Sequence, residues 1–249
     1  MYFHYAGNFF QYITDFGEPL ILARSYRIAK LLIKHGADLN GGCDGSGDIA
    51  SILHHFCFTR SKGALQAVLE SNAPVNIPNN LGKTALFYAS SPEMVVLLVN
   101  AGGSVDWADN SGFRPLHYMV SNKESLPLVK ALLDAKCDPN TEDNYGRTPL
   151  HIVCLPDDDA PNRNIVIPDR KEELRNRLDT IKLLADYGAN FTAKDNEGKA
   201  PLDLLLISPH EDGFEEWNLI KELLREVFDA QYNNHGFKRA RVFVEEAEI

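Results

Sequence analysis

The chain has 249 residues, of which 44% are apolar and 24% are charged, so it can bury a sizeable core. Its net charge of −10 would repel a phosphate backbone, which argues against nucleic acid as a partner. No apolar run reaches the roughly 18 residues that span a membrane. The 4 cysteines form no C-x-x-C pair and are expected to be reduced thiols of a cytoplasmic or nuclear protein.

The N-terminal segment, residues 1–16, is rich in aromatic side chains and lacks the basic start and the cleavage site of a signal peptide. We expect this segment to form a hydrophobic cap over the first structural unit. A truncated chain or a contact with a partner are the alternatives.

A helix followed by a turn recurs along the chain. Apolar residues at helical spacing, ending in a small or turn-forming pair, predict the second helix of each unit. These blocks are 29–40, 65–76, 95–106, 129–140 and 181–192. Gly36, Gly102 and Gly188 stand where a left-handed residue should end the helix, and Lys136 is a poor substitute there.

A second block begins with D/N-x-x-G and continues into a short helix. Its turn glycines, Gly82, Gly112, Gly146 and Gly198, follow one another after 30, 34 and 52 residues. The expected helix starts are Pro115, Pro149 and Pro201 at the first helical position, with Thr84 and Thr148 as side-chain N-caps.

Three departures interrupt this pattern. The second unit lacks a Thr-Pro-Leu-His tetrad, so we expect a degenerate first helix there, and Arg114 replaces the capping threonine in the fourth unit. The fifth unit carries an insertion, 155–172, with prolines and aspartates that predict a loop from Leu155. Its second helix is expected to begin near Asp169. The insertion is either functional or a tolerated mobile loop.

The stretches GRTPLH (146–151) and HGADLN (35–40) resemble the two most characteristic segments of the ankyrin repeat family. The resemblance implies an all-α solenoid of about six stacked helix-turn-helix units with β-turn loops over 17–231, followed by a tail, 232–249. The helix 215–231 would cover the last unit. In this family the histidines at positions 117 and 151 usually bond to the backbone of neighbouring turns.

No residue pattern in the sequence favours a chemical site over this structural interpretation. Cys154 follows His151 by one helical turn, but nothing orients a third group for nucleophilic catalysis. Neither HHFC (54–57) nor the aspartates at 157–159 have the ligand spacing of a zinc or calcium site. We therefore expect no catalysis, no metal and no cofactor.

The resemblance implies binding of another protein or a peptide segment on the concave face formed by turn tips and first helices. Large and basic side chains stand there, where turns are usually polar, and exposed aromatics beside cations are typical of binding hot spots. An acidic or hydrophobic segment would suit them, unless the aromatics simply pack on neighbouring turns. The expected binding residues are Leu81, Lys83, Trp107, Phe113, Arg114, Tyr145, Arg147 and Lys199.

The leading interpretation is a monomeric, non-catalytic adaptor or scaffold. A substrate-recognition subunit of a ubiquitin ligase and a pathogen effector acting on host proteins are the alternatives. Asn40, Asn76 and Asn140 end their helix-turn blocks at a position that can be hydroxylated in similar repeats of animal proteins.

Overall fold

The computed structural model of the chain describes residues 20–39, 51–121, 125–155 and 170–206. Over these ranges it is helical and contains no strand, in agreement with the predicted all-α class. In chain order the elements are α1 (Tyr26–Lys34), α2 (Ile52–Phe58), α3 (Lys62–Leu69), a 3₁₀ helix (Ala85–Tyr88), α4 (Pro92–Asn100), α5 (Pro115–Val120), α6 (Leu126–Asp134), α7 (Pro149–Cys154), α8 (Arg170–Asp186) and α9 (Pro201–Leu206).

These helices form two parallel rows. The second helices α1, α3, α4, α6 and α8 each pack on the next, and so do the first helices α2, the 3₁₀ helix, α5, α7 and α9. In the second to fifth units, where both helices are described, the two helices also pack on each other. The apolar core runs between the rows, where Leu98, Leu132 and Leu184 are fully buried. The arrangement is the predicted solenoid, in which each unit buries its apolar face against its neighbours.

Several predicted segments lie outside the described residues. They are the aromatic cap (1–16), most of the insertion (156–169), the terminal helix (215–231) and the tail (232–249). The flanks of the insertion are described. Helix α7 ends at Cys154, directly before the predicted loop, and α8 is described from Arg170, one residue after its predicted start.

The starts of the first helices match the sequence in part. Pro115, Pro149 and Pro201 are the first residues of α5, α7 and α9, where a missing backbone N–H leaves no bond unmade. The predicted cap at Thr84 is wrong, because its hydroxyl is buried and makes no hydrogen bond. Thr148 is the N-cap of α7, as predicted, and it forms a reciprocal capping box with His151, whose Nδ1 accepts the Thr148 backbone N–H over 3.0 Å and lies 2.9 Å from its hydroxyl.

Histidine is thus the residue that completes these helix starts. Phe87 takes the histidine position in the third unit, where it cannot accept a hydrogen bond. The threonine hydroxyl there has no hydrogen-bond partner, and the helix is a short 3₁₀ turn.

The same histidines tie neighbouring units together, as the resemblance implied. The Nε2 atoms of His117 and His151 donate to the backbone carbonyls of Arg147 and Lys199, over 3.0 and 3.2 Å. The expectation of a degenerate first helix in the second unit is wrong, because α2 is an α-helix of 7 residues and makes the same link. There His54 Nε2 donates to Lys83 O over 2.9 Å, and its Nδ1 lies 2.7 Å from the Ser51 hydroxyl. The sequence Ser-Ile-Leu-His at 51–54 therefore serves as the tetrad.

These contacts require neutral imidazole rings. A carbonyl can only accept, so Nε2 must carry the proton, while the Nδ1 atoms of His117 and His151 accept a backbone N–H. Burial lowers the pKa of His117 to about 4, and it also lowers the pKa of His54 and His151. The stability that these links contribute is therefore fully present above the ordinary histidine pKa and is lost as the solution becomes acidic.

The turn tips are joined by a ladder of asparagine amides. The side chains of Asn110, Asn144 and Asn196 each donate to the backbone carbonyl of the corresponding asparagine in the preceding turn, over 2.9, 3.2 and 3.1 Å. The turns approach so closely that a Cβ on Gly112 would lie 2.6 Å from the backbone nitrogen of Asn144. The spacing between units is thus fixed at their tips as well as in the core.

The second helices end in left-handed residues, as predicted. Gly36, Gly102 and Gly188 have φ of +88°, +90° and +86°, and Lys136 adopts the same region with φ of +67°. A side chain in this conformation crowds its own carbonyl and costs roughly 1–2 kcal/mol.

Replacing Lys136 by glycine should raise the free energy of unfolding by about 1 kcal/mol, because the relief of strain exceeds the entropy gained by the unfolded chain. Urea unfolding followed by circular dichroism measures this change. Lys182→Gly, at an exposed position inside α8, should instead destabilise by about 1 kcal/mol. An unfolding midpoint of Lys136→Gly equal to or below that of the wild type would refute the strain assigned to Lys136.

Candidate functional site

The tips of the turns expose two large side chains. Leu81 and Tyr145 occupy the position directly before the turn glycine in the third and fifth units, and 47% and 59% of their surfaces are exposed. The turn beneath Tyr145 is held by Asp143, whose Oδ1 accepts from the backbone N–H groups of Tyr145 and Arg147 over 2.8 and 2.9 Å. The exposed ring therefore stands on a fixed support.

The position after each turn glycine forms a row across the stack. Lys83, Phe113, Arg147 and Lys199 occupy it in successive units. The Lys83 ammonium lies 4.3 Å from the ring centroid of Tyr118, and the Arg147 guanidinium lies 4.5 Å from that of Tyr145 and 5.7 Å from that of Phe113. These are cation–π distances. We call Lys83, Phe113, Tyr118, Arg147 and Tyr145 together the aromatic–cationic patch.

Neighbouring contacts hold the patch in place. The Phe113 ring meets His117 edge-on at 5.9 Å and packs against the core. Arg147 Nε donates to Asp143 Oδ2 over 2.9 Å, and the Asp143 side chain is fully buried. The cations are therefore oriented before any partner arrives, which reduces the entropy lost on binding.

The other residues predicted to bind a partner lie differently. Trp107 is half-buried, and its indole N–H donates to Gly82 O over 2.9 Å. Arg114 reaches the carbonyl of Glu142 over 2.7 Å. Lys199 forms an ion pair of 2.8 Å with Glu197. These three side chains contact the turns of their own or a neighbouring unit, whereas Leu81 is exposed.

Sequence reasoning missed Tyr118, whose ring underlies Lys83. It considered only the turns, although the residue after the tetrad histidine lies on the adjoining side of the first helix. Tyr88 holds the same position in the third unit, where its hydroxyl accepts from the Asn79 amide over 2.8 Å. The signal available in the sequence was a large aromatic residue at this position in two consecutive units.

The asparagines considered for hydroxylation serve as bridges between units. Asn76 donates to Gly102 O over 2.9 Å and accepts from Ser104 N over 2.9 Å. Asn140 makes the matching contacts with Gly188 O and Asn190 N over 3.0 and 2.6 Å. Asn40 lies outside the described residues. Hydroxylation of these residues stays a prediction.

The cysteines of the described residues are unreactive at neutral pH. Burial raises the pKa of the Cys154 and Cys137 thiols to about 12, so neither is a thiolate near neutral pH. Over the same ranges no three side chains of metal-ligating type come together. Within this part of the chain no helix has both the length and the apolar character needed to span a bilayer.

Comparison with known proteins agrees with the architecture. Residues 98–153 match the family model described as ankyrin repeats (many copies). Over 176 residues the chain is 27% identical to the neurogenic locus notch homolog protein 1 of zebrafish (Danio rerio). The aligned region covers 69% of this chain and 6% of that protein. It is 25% identical over 219 residues to a protein of Acanthamoeba polyphaga mimivirus named as an ankyrin repeat protein, covering 78% of this chain and 28% of that protein.

A fowlpox virus protein named as an ankyrin repeat protein is 29% identical over 154 residues, which cover 57% of this chain and 45% of the viral protein. The chain thus spans less than half the length of each of these three relatives. Ankyrin repeats generally mediate interactions between proteins and are typically non-catalytic. The stacked helix pairs, the histidine links between turns and the match over residues 98–153 all agree with an ankyrin repeat architecture.

Proposed function

We propose that this protein is a non-catalytic adaptor or scaffold that binds another protein on the concave face formed by its turn tips and first helices. The observation that carries the proposal is the aromatic–cationic patch. It stacks cations on rings across three successive units and leaves Tyr145 more than half exposed. The flanking Leu81 extends the same surface.

The chemistry of the patch favours a protein partner. Tyrosine and arginine are enriched among the residues that dominate binding energy, because each combines a large contact area with polar groups of fixed direction. The cations stand out on a chain of net charge −10, which argues against nucleic acid and for an acidic or apolar segment. Arg147 is held in place by one carboxylate partner, Asp143.

We also propose that the protein acts as a monomer in the cytoplasm or the nucleus. Cys57, Cys137 and Cys154 are buried free thiols, the form that cysteines keep in a reducing compartment. The substitutions described next test the binding function independently of location.

Replacing Tyr145 or Phe113 by alanine should abolish recovery of the partner from a cell extract of the source organism. Phe58→Ala is the matched control, because Phe58 is 65% exposed but lies at the end of α2, away from the turn tips. Quantitative mass spectrometry of the captured proteins compares each variant with the wild type.

The two substitutions also differ in their structural cost. Tyr145 is exposed, so its replacement should leave the unfolding midpoint unchanged, whereas Phe113 packs against the core and should lose some stability. Recovery by folded Tyr145→Ala and Phe113→Ala proteins equal to that by wild type would dismiss the patch as the binding site.

A further inference from the structure

We propose that the N-terminal segment, residues 1–19, covers the exposed apolar side of helix α1 at Ile28 and Leu31. This contact closes the first end of the stack, and it lies on a second helix, away from the turn tips that the proposed function uses. Three features support it, which are the exposed apolar side of α1, the basic residues beside it and the composition of the chain before Leu20.

The outer side of α1 exposes neighbouring large apolar side chains. Ile28 and Leu31 lie one helical turn apart and are 54% and 57% exposed, and Leu22, in the turn before the helix, is 53% exposed. The other large apolar side chains that are exposed in the described chain are spread over the second to fifth units. Single exposed apolar side chains are ordinary, whereas neighbouring ones indicate a contact surface.

In later units the equivalent positions are covered by the preceding unit. When the second helices are aligned by their turns, Ala64 and Met94 take the place of Ile28, and they are 0% and 1% exposed. Ala67, which takes the place of Leu31, is 1% exposed, and its helix α3 packs on α1. Within the described chain no helix precedes α1. Ile28 and Leu31 are therefore exposed because a terminal unit lacks a neighbour on its outer side.

Basic residues flank this apolar side. Arg27 and Lys34 lie one helical turn before and after Leu31, and both are exposed. Neither makes an ion pair with another residue of the described chain. A basic helix with an apolar side, on a chain of net charge −10, is complementary to a segment that is both apolar and acidic.

The chain directly before Leu20 has this composition. Residues 1–16 include seven aromatic side chains, and residues 1–19 contain Asp15 and Glu18 but no lysine or arginine. Leu20 itself is fully buried, so the segment leaves the stack from a fixed point six residues before α1.

The covalent connection favours this segment over other occupants. Nineteen residues can extend over roughly 60 Å, whereas the nine residues of α1 span about 14 Å. A short tether also holds a segment at an effective concentration in the millimolar range. We therefore expect residues 1–19 to cover α1 in preference to a free partner or a second copy of the chain.

Photo-crosslinking within the purified full-length chain tests this contact. A benzophenone amino acid replaces Leu31, the protein is irradiated, and the tryptic peptides are mapped by mass spectrometry. Trypsin releases residues 1–24 as one peptide, because Arg24 is the first basic cleavage site. We expect a crosslink from position 31 to residues 1–19 in protein of monomer mass. The same probe at Val96, which is 50% exposed on α4, is the matched control and should not reach that segment.

A substitution on the covered side provides a second arm. Ile28→Glu, combined with the probe at position 31, should lower the crosslink yield at least about fivefold, because the segment would have to bury a charge. Ile28 is more than half exposed, so the helical circular dichroism signal should stay unchanged. Val96→Glu with the same probe is the control, and it should leave the yield at the wild-type level.

The occupants of α1 give different products. A crosslink to residues 1–19 in monomeric protein that weakens with Ile28→Glu would support the proposal. A crosslinked dimer would show that a second copy covers α1 and would overturn it. Crosslinks confined to residues after 19, no crosslink at all, or a yield that Ile28→Glu leaves unchanged would also overturn it.

Discussion

Lowering the pH from about 7 to about 5 should reduce the free energy of unfolding by about 2 kcal/mol through His117 alone. The unfolded chain takes up a proton near the ordinary pKa of 6.5, whereas burial holds the folded pKa at about 4. Between these values the unfolded state binds more protons, so stability falls as the pH falls. The lowered pKa values of His54 and His151 act in the same direction.

Urea unfolding at a series of pH values measures this dependence. The carboxyl groups whose pKa is lowered, such as Glu70 and Asp134, stabilise the fold above their ordinary pKa values and lose this contribution mainly below them, so the histidine window is separate from theirs. His117→Gln should be less stable than wild type near neutral pH but should lose less stability between about pH 7 and about pH 5. A wild-type midpoint that does not move over that window would contradict the neutral histidine links.

Replacing Gly112 by alanine should destabilise the protein by about 3 kcal/mol or more. The residue has φ of +78°, which costs a side chain roughly 1–2 kcal/mol by itself. In addition, the new Cβ would lie 2.5 Å from Asn144 Oδ1 and 2.6 Å from its backbone nitrogen. The asparagine side chain could turn aside, but the backbone of the neighbouring turn would have to shift, and the tip ladder would break.

Gly102→Ala separates these two effects. Gly102 has a comparable φ of +90°, but a Cβ there would meet no atom within 4 Å. It should therefore lose only the conformational term of about 1–2 kcal/mol. Differential scanning calorimetry of both variants compares the losses. Equal losses would show that the turns are not in close contact.

The sequence predicted the parts of the fold that depend on local backbone chemistry. Pro115 and Pro149 start helices because a proline lacks the N–H that a first helical residue leaves unpaired. Gly102 terminates helix α4, because a left-handed backbone favours a residue without Cβ. These rules act within a few residues, so one copy of the motif is enough to apply them.

Contacts between units were harder to predict. His54 was overlooked because Ser51 and Ile52 differ from the usual tetrad, although its distance of 33 residues from Phe87 matched the repeat. Thr84 was expected to act as a cap, yet its partner would have been the histidine that Phe87 replaces.

Only part of the candidate site was predicted from the sequence, because the site also depends on contacts between units. Turn position alone identified Tyr145 and Arg147, but which cation meets which ring depends on how neighbouring units are stacked. The placement of Lys83 over Tyr118, two residues of different units, could not be read from either segment.

A photo-crosslinking amino acid placed at Tyr145 tests most directly whether the turn tips and first helices bind a partner protein. A second probe at Val96, which is 50% exposed on a second helix, is the matched control. After irradiation in extracts of the source organism, we expect the Tyr145 probe to capture a defined protein, identified by mass spectrometry, that the Val96 probe does not capture. Capture of that protein from Val96 and not from Tyr145, or identical capture from both, would contradict the account.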